Sequence, residues 1–114
     1  MQPKKIARLA GKLALEKKAG EVKILDLRKL TDVADYFVIC SGEVDVQIKS
    51  IADNISEGLK KNGVKLWHLE GYSALTWVLL DYVTVVVHIF KEETRKYYSL
   101  EKLWGDAPVE EMED

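Results

Sequence analysis

The run from Glu70 to Phe90, EGYSALTWVLLDYVTVVVHIF, is too apolar for a hairpin with one face in water, so it must be covered on both sides. Near-continuous hydrophobic strands of this kind belong to parallel or mixed sheets flanked by helices, whereas a one-sided antiparallel sheet alternates cleanly. The chain therefore reads as α/β. Taken as a strand, the first half sets Leu75, Trp77, Leu79 and Asp81 on one face and Ala74, Thr76, Val78, Leu80 and Tyr82 on the other. The second half, Thr84 to Phe90, is rich in β-branched residues that favour strand over helix, and the two halves are expected to pair as a hairpin.

Periodicity and breakers give the remaining order. A helix is expected from about Lys4 to Lys18, strands over 22–27 and 36–41, a helix over 45–61, a strand over 65–70, the hairpin, and a last helix over about 94–104. The central helix is the best marked: Ile48, Ile51, Ala52, Ile55 and Leu59 recur at spacings of three and four, and Asn62-Gly63 supplies a stop. The result is a mixed sheet of about five strands flanked by helices. With 114 residues, only Pro3 and Pro108, and no repeat or linker, the chain is expected to form one domain. Residues 1–18 form its N-terminal helix, and residues 107–114 are expected to be a solvated, frayed acidic tail.

Composition excludes several function classes. Net charge is −2, with Lys4, Lys5, Arg8, Lys12, Lys17 and Lys18 at one end and Asp106, Glu110, Glu111, Glu113 and Asp114 at the other. A nucleic-acid binder carries a basic face, and only the first helix offers one, so no sequence-specific nucleic acid is expected. That helix could be a presequence or membrane-surface segment, but Ile6, Leu9, Ala10, Leu13 and Ala14 make an ordinary core-facing stripe. No apolar stretch approaches the roughly 20 residues of a membrane span, and no signal-peptide pattern is present. Cys40, alone in an apolar strand, cannot form a disulfide framework or a zinc cluster within the chain. A cytoplasmic location is expected.

Nothing in the sequence specifies catalysis. There is no G-x-x-x-x-G-K loop; Glu43 and Asp45 after Ser41-Gly42 are explained by helix initiation. His68 and His88, on neighbouring expected strands with Asp81 or Glu70 near, lack a nucleophile or third ligand, and a hydrogen-bonded core or surface role is simpler. No metal and no cofactor are expected. Trp77, Asp81 and Tyr82 differ, because aromatic residues beside a charge form the usual anchor of a protein interface.

The hairpin strings Trp77-Val78-Leu79-Leu80-Asp81-Tyr82 and Val85-Val86-Val87-His88-Ile89-Phe90 resemble the signature of the ribosomal silencing factors, the Iojap family. Asp35-Tyr36-Phe37-Val38-Ile39-Cys40-Ser41-Gly42 resembles that family's first core strand, Gln47 to Ile55 its central helix, and Tyr97 to Trp104 with Asp106-Ala107 its C-terminal helix. The blocks keep order and spacing over nearly the whole chain. Two positions depart from the pattern. Val83-Thr84 stands where the family usually has Gly-Asp, and since a β-branched residue resists the positive φ of a tight hairpin, a wider turn or bulge is expected. Val44 stands where a Ser often opens the central helix, and Asp45 is expected to take over the cap.

What the resemblance implies is a nucleotidyltransferase-like topology without that chemistry. It further implies a translational repressor that docks on the large ribosomal subunit through ribosomal protein fourteen and sterically blocks joining of the small subunit. A homodimer paired through the apolar hairpin is also implied. The candidate docking residues are His68, Glu70, Trp77, Leu79, Asp81 and Tyr82, with the carboxylates facing basic groups of the partner. Two alternatives remain: a nucleotidyltransferase-like enzyme, and direct ribosomal-RNA binding through the basic first helix.

Overall fold

Two faces of one sheet account for the buried apolar residues of the chain. The structure is a computed structural model that describes residues 1–113; Asp114, counted above in the acidic tail, lies outside the described residues. Helix α1 (Pro3–Leu15) starts with Pro3 where its missing N–H is no loss, and buries Ile6, Ala7, Ala10, Leu13 and Ala14. It stops short of the expected Lys18, which takes a left-handed φ of 60° and turns the chain into strand β1 (Gly20–Asp26). Strand β2 (Tyr36–Gly42) is buried at all its positions, as a strand covered on both faces must be.

Helix α2 (Asp45–Lys61) buries the five apolar residues of its expected stripe and ends at Asn62, followed by Gly63 at φ 78°. Its cap differs from the expectation. Val44 occupies the N-cap position with no side-chain bond, and Asp45 is already helical, its carboxylate paired with Lys91. The entry is held instead by Gln47, whose Oε1 accepts the Glu43 N–H at 2.8 Å while its amide donates to the Lys18 carbonyl at 3.1 Å. A side chain anchored to the preceding loop replaces the local cap.

Strand β3 is only His68–Glu70, shorter than expected; β4 (Trp77–Asp81) and β5 (Val85–Lys91) form the anticipated antiparallel hairpin. The sheet has six strands, not five, in the order β3-β4-β5-β2-β1-β6; β2 and β5 run parallel and the other pairs antiparallel. The sixth is β6 (Val109–Met112), which overturns the frayed tail: Val109 pairs with Leu25 and Met112 with Val22. Its acidic residues are exposed and ion-paired, Glu110 with Arg8 at 3.1 Å and Glu111 with Lys23 at 3.9 Å, and a charged edge strand discourages further pairing.

The last helix is also two pieces, α3 (Glu92–Tyr98) and α4 (Leu100–Leu103), broken at Ser99 in the left-handed region. The hairpin turn corrects a further expectation. Tyr82 N–H donates to the Val85 carbonyl at 2.8 Å across a tight two-residue loop, with Val83 forced to φ 73°. The strain is held by contacts on both sides: Asp81 Oδ1 accepts the Val83 N–H at 2.7 Å, and the Thr84 carbonyl accepts the Asp35 N–H at 2.8 Å.

On one face, α1 and α2 cover Val22, Val38, Val78, Leu80, Val87 and Ile89. Leu75, expected beside Trp77, belongs to this helix-covered cluster, because β4 begins at Trp77 and Leu75 sits before it at φ 58°. The other face carries Leu25, Phe37, Ile39, Val86 and Phe90, covered by the chain around Leu100, Trp104 and Ala107. That cover reaches only part of the sheet.

Candidate functional site: a half-open aromatic and acidic sheet face

Cross-strand register decides which candidate residues meet. His68 lies opposite Asp81, and Glu70 opposite Leu79, so β3 and β4 place His68, Glu70, Leu79, Asp81 and Trp77 on the face away from α1 and α2. On β4 the residues alternate half-buried and buried, with Trp77, Leu79 and Asp81 half-buried, and all of β3 is exposed. Five of the six expected docking residues therefore share one open surface. Tyr82 does not: it turns inward to the helix-covered core, 6% exposed, where burial pushes its hydroxyl up to about 12 and leaves that oxygen without a hydrogen-bond partner. The reason is the strand period itself, which sends Asp81 and Tyr82 to opposite sides.

Trp77 is fixed from beneath. Its indole Nε1–H donates to His88 Nδ1 at 3.1 Å, and its ring lies 4.6 Å from Phe90 and 4.9 Å from Tyr98. His88 is buried, packed edge-on to Phe37 at 4.5 Å, and burial lowers its basicity to about 4. Because Nδ1 accepts, the neutral ring carries its proton on Nε2, which is buried with no acceptor. The histidine is thus a neutral support for the tryptophan, the hydrogen-bonded core role the sequence suggested, and it cannot serve as a base toward a ligand from there.

Charge on the open face is acidic and accessible. Glu70 Oε2 lies 3.4 Å from His68 Nε2, both more than half exposed. Asp81 spends one oxygen on the Val83 turn, so it is a turn clamp as well as a surface carboxylate. Tyr98, 54% exposed, and the half-buried Trp104, which meets Phe37 at 6.0 Å, extend the aromatic surface from the helical side. Both lay inside the expected last helix, but Trp104 is carried to Phe37 by the chain after the break at Ser99, which no local pattern announces.

Among the described residues no group of three or more His, Cys, Asp or Glu could hold a metal ion, and no helix is long and apolar enough to cross a membrane. Cys40 is fully buried and its thiol is pushed up to about 12 by that burial. Glu43 and Asp45 are exposed at the α2 entry, where the Glu43 N–H donates to Gln47 Oε1 and the Asp45 carboxylate pairs with Lys91.

A half-covered aromatic centre with an acidic rim has the anatomy of a protein-interface patch. The comparisons are specific. The family model described as "Ribosomal silencing factor during starvation" matches residues 1–114, and the chain belongs to the ribosomal silencing factor family. It is 41% identical over 113 residues to the ribosomal silencing factor of Bacillus subtilis, covering 99% of this chain and 96% of that protein. It is 33% identical over 100 residues to the chloroplastic Iojap protein of Zea mays, covering 87% of this chain and 43% of that longer one. A crystal structure of a Chromobacterium violaceum protein, 33% identical, superposes with a TM-score of 0.90 over 92% of this chain and 88% of the other. One from Bacillus halodurans, 36% identical, gives 0.84 over 96% and 99%.

Proposed function

We propose that this protein represses translation by docking on the large ribosomal subunit, through its ribosomal protein fourteen, and sterically blocking the small subunit. The observation that carries the docking site is the open half of the sheet: an indole locked by His88, Phe90 and Tyr98, flanked by Leu79 and by the Glu70 and Asp81 carboxylates. A pre-fixed aromatic centre loses little conformational freedom on binding, and carboxylates around it orient a basic partner. The action is occlusion in the cytoplasm, with no cofactor and no chemistry, and a second copy of the chain competes for the same apolar hairpin. Arg8 of the first helix sits in an exposed ion pair with Glu110, which an RNA phosphate would have to displace.

The test is affinity for the large subunit and for its isolated protein fourteen. Trp77→Ala should weaken both by about 2 kcal/mol or more. Asp81→Arg should do so as well but also loosens the turn, so Glu70→Arg, fully on the rim, is the cleaner charge reversal and should slow association. Tyr82→Phe, buried on the far side, should leave binding unchanged and stability equal or up to about 1 kcal/mol higher, because it removes an unpaired hydroxyl. Unchanged affinity in both Trp77→Ala and Glu70→Arg overturns this site.

A further inference from the structure

Past Trp77 the docking face continues onto a surface that the strands alone do not define. On α3 the pairs Glu93/Tyr97 and Thr94/Tyr98 stand four residues apart and so share one side of the helix. That side meets Thr76 and Trp77 across a shallow cleft of about 460 Å³. Its two walls are fixed to each other: the Lys91 N–H, at the start of α3, donates to the Thr76 carbonyl at 2.9 Å, and the Tyr98 ring lies 4.9 Å from Trp77. Tyr97 packs edge-on to Tyr98 at 5.1 Å.

Two features of this cleft select the same kind of occupant. Tyr97 is 82% exposed, more than any other large hydrophobic side chain among the described residues, and Tyr98 beside it is more than half exposed, so an aromatic surface is left in water. The face of such a ring carries partial negative charge and attracts a cation. Glu93, exposed on the same cleft, makes no ion pair among the described residues. The cations of this segment are turned away or already engaged: Arg95 and Lys96 line a separate cleft with Gly20 and Ser41, and Lys91 is paired with Asp45. Among the described residues no lysine or arginine lines the aromatic cleft, so the Glu93 carboxylate and the rings act on an incoming cation with the same sign. A lysine ammonium is compact and strongly hydrated, whereas a guanidinium is flat, less hydrated, and able to lie on a ring while its edge donates to a carboxylate.

We propose that this cleft receives an arginine side chain of the protein partner, its guanidinium lying against Tyr97, Tyr98 and Trp77 and donating to the Glu93 carboxylate. The inference rests on the docking reading above and gives it a chemistry: the partner contributes a guanidinium, and α3 joins the sheet in forming the interface. The test is a double-mutant cycle between the full chain and isolated ribosomal protein fourteen. Each arginine of that protein is replaced singly by glutamine, and binding is measured to the wild-type chain, to Glu93→Gln and to Tyr97→Ala, two changes at exposed positions that should leave the melting temperature unchanged.

Glu93→Gln and Tyr97→Ala should each weaken binding to the unaltered partner by roughly fivefold or more. One arginine of the partner should cost as much when replaced against the wild-type chain, yet less than roughly twofold against Glu93→Gln, because its carboxylate is already gone. Wild-type affinity in both variants, with Trp77→Ala still weakening binding, overturns the cleft and leaves the docking face standing. A wild-type chain that binds neither protein fourteen nor the large subunit overturns the docking reading and the cleft together. Losses in both variants with no arginine coupled to Glu93 overturn the arginine assignment.

Discussion

Trp77 meets two demands with one ring. Its apolar body closes the second core cluster against Phe90 and Tyr98, and its N–H is spent inward on His88, so the part left at the surface is a positioned apolar face. The neutral state of His88 is a condition of this arrangement, which makes it testable by pH. Its folded-state value of about 4 lies below the ordinary 6.5, so between these limits the unfolded chain binds more protons than the folded one. The contribution is therefore fully present above pH 6.5 and is lost as pH falls toward 4, on the order of 3 kcal/mol over the whole window. Urea midpoints measured from pH 7 to 5 should fall accordingly, and His88→Phe, though less stable at pH 7 for leaving the indole N–H unpaired, should lose most of that slope. Val83 offers the opposite case, a residue at odds with its position. At φ 73° and exposed, it is strained in a way glycine is not. Val83→Gly should raise stability by about 1 kcal/mol, seen as roughly 4 °C in melting temperature, whereas a decrease would mean that the turn relies on the valine side chain.

Among the elements, those whose burial is periodic were legible in the sequence and those defined by a single distant contact were not. The α2 stripe, the buried β2 and the β4–β5 hairpin follow from hydrophobic spacing, and each appears where that spacing places it. The face shared by Trp77, Leu79 and Asp81 was readable for the same reason, and Tyr82 falls on the opposite side by the same rule. Strand β6 was hidden because Val-Glu-Glu-Met reads as a charged tail until Arg8 and Lys23, distant in sequence, supply its counter-charges. The Ser99 break was hidden because the Arg95–Glu101 pair that ties α3 to α4 spans a corner no helical period describes. Stopping the chain after Pro108 exposes the β1 edge and uncovers Val22 from Met112. That truncation should cost about 2 kcal/mol in urea titration and promote self-association. Glu110→Ala, which removes only an exposed ion pair, should change stability by less than about 0.5 kcal/mol. Equal losses in the two variants would show that the charges rather than the strand pairing hold β6.

At the scale of the whole molecule, the domain is asymmetric by construction. Helices α1 and α2 seal one face of the sheet, while the chain after β5 covers the other only as far as Trp77 and Leu79, leaving β3 and the outer half of β4 open. A protein that acts by occupying a surface needs such a free face, rigidly backed, and the family to which the chain belongs is described by silencing of the ribosome. The most direct test is co-sedimentation of the purified protein with separated large and small ribosomal subunits, with magnesium then raised to drive their joining. The account predicts stoichiometric retention on the large subunit and loss of joined particles, both abolished by Trp77→Ala in a protein that remains folded. Retention on neither subunit, or joining that proceeds undiminished with the protein bound, would contradict it.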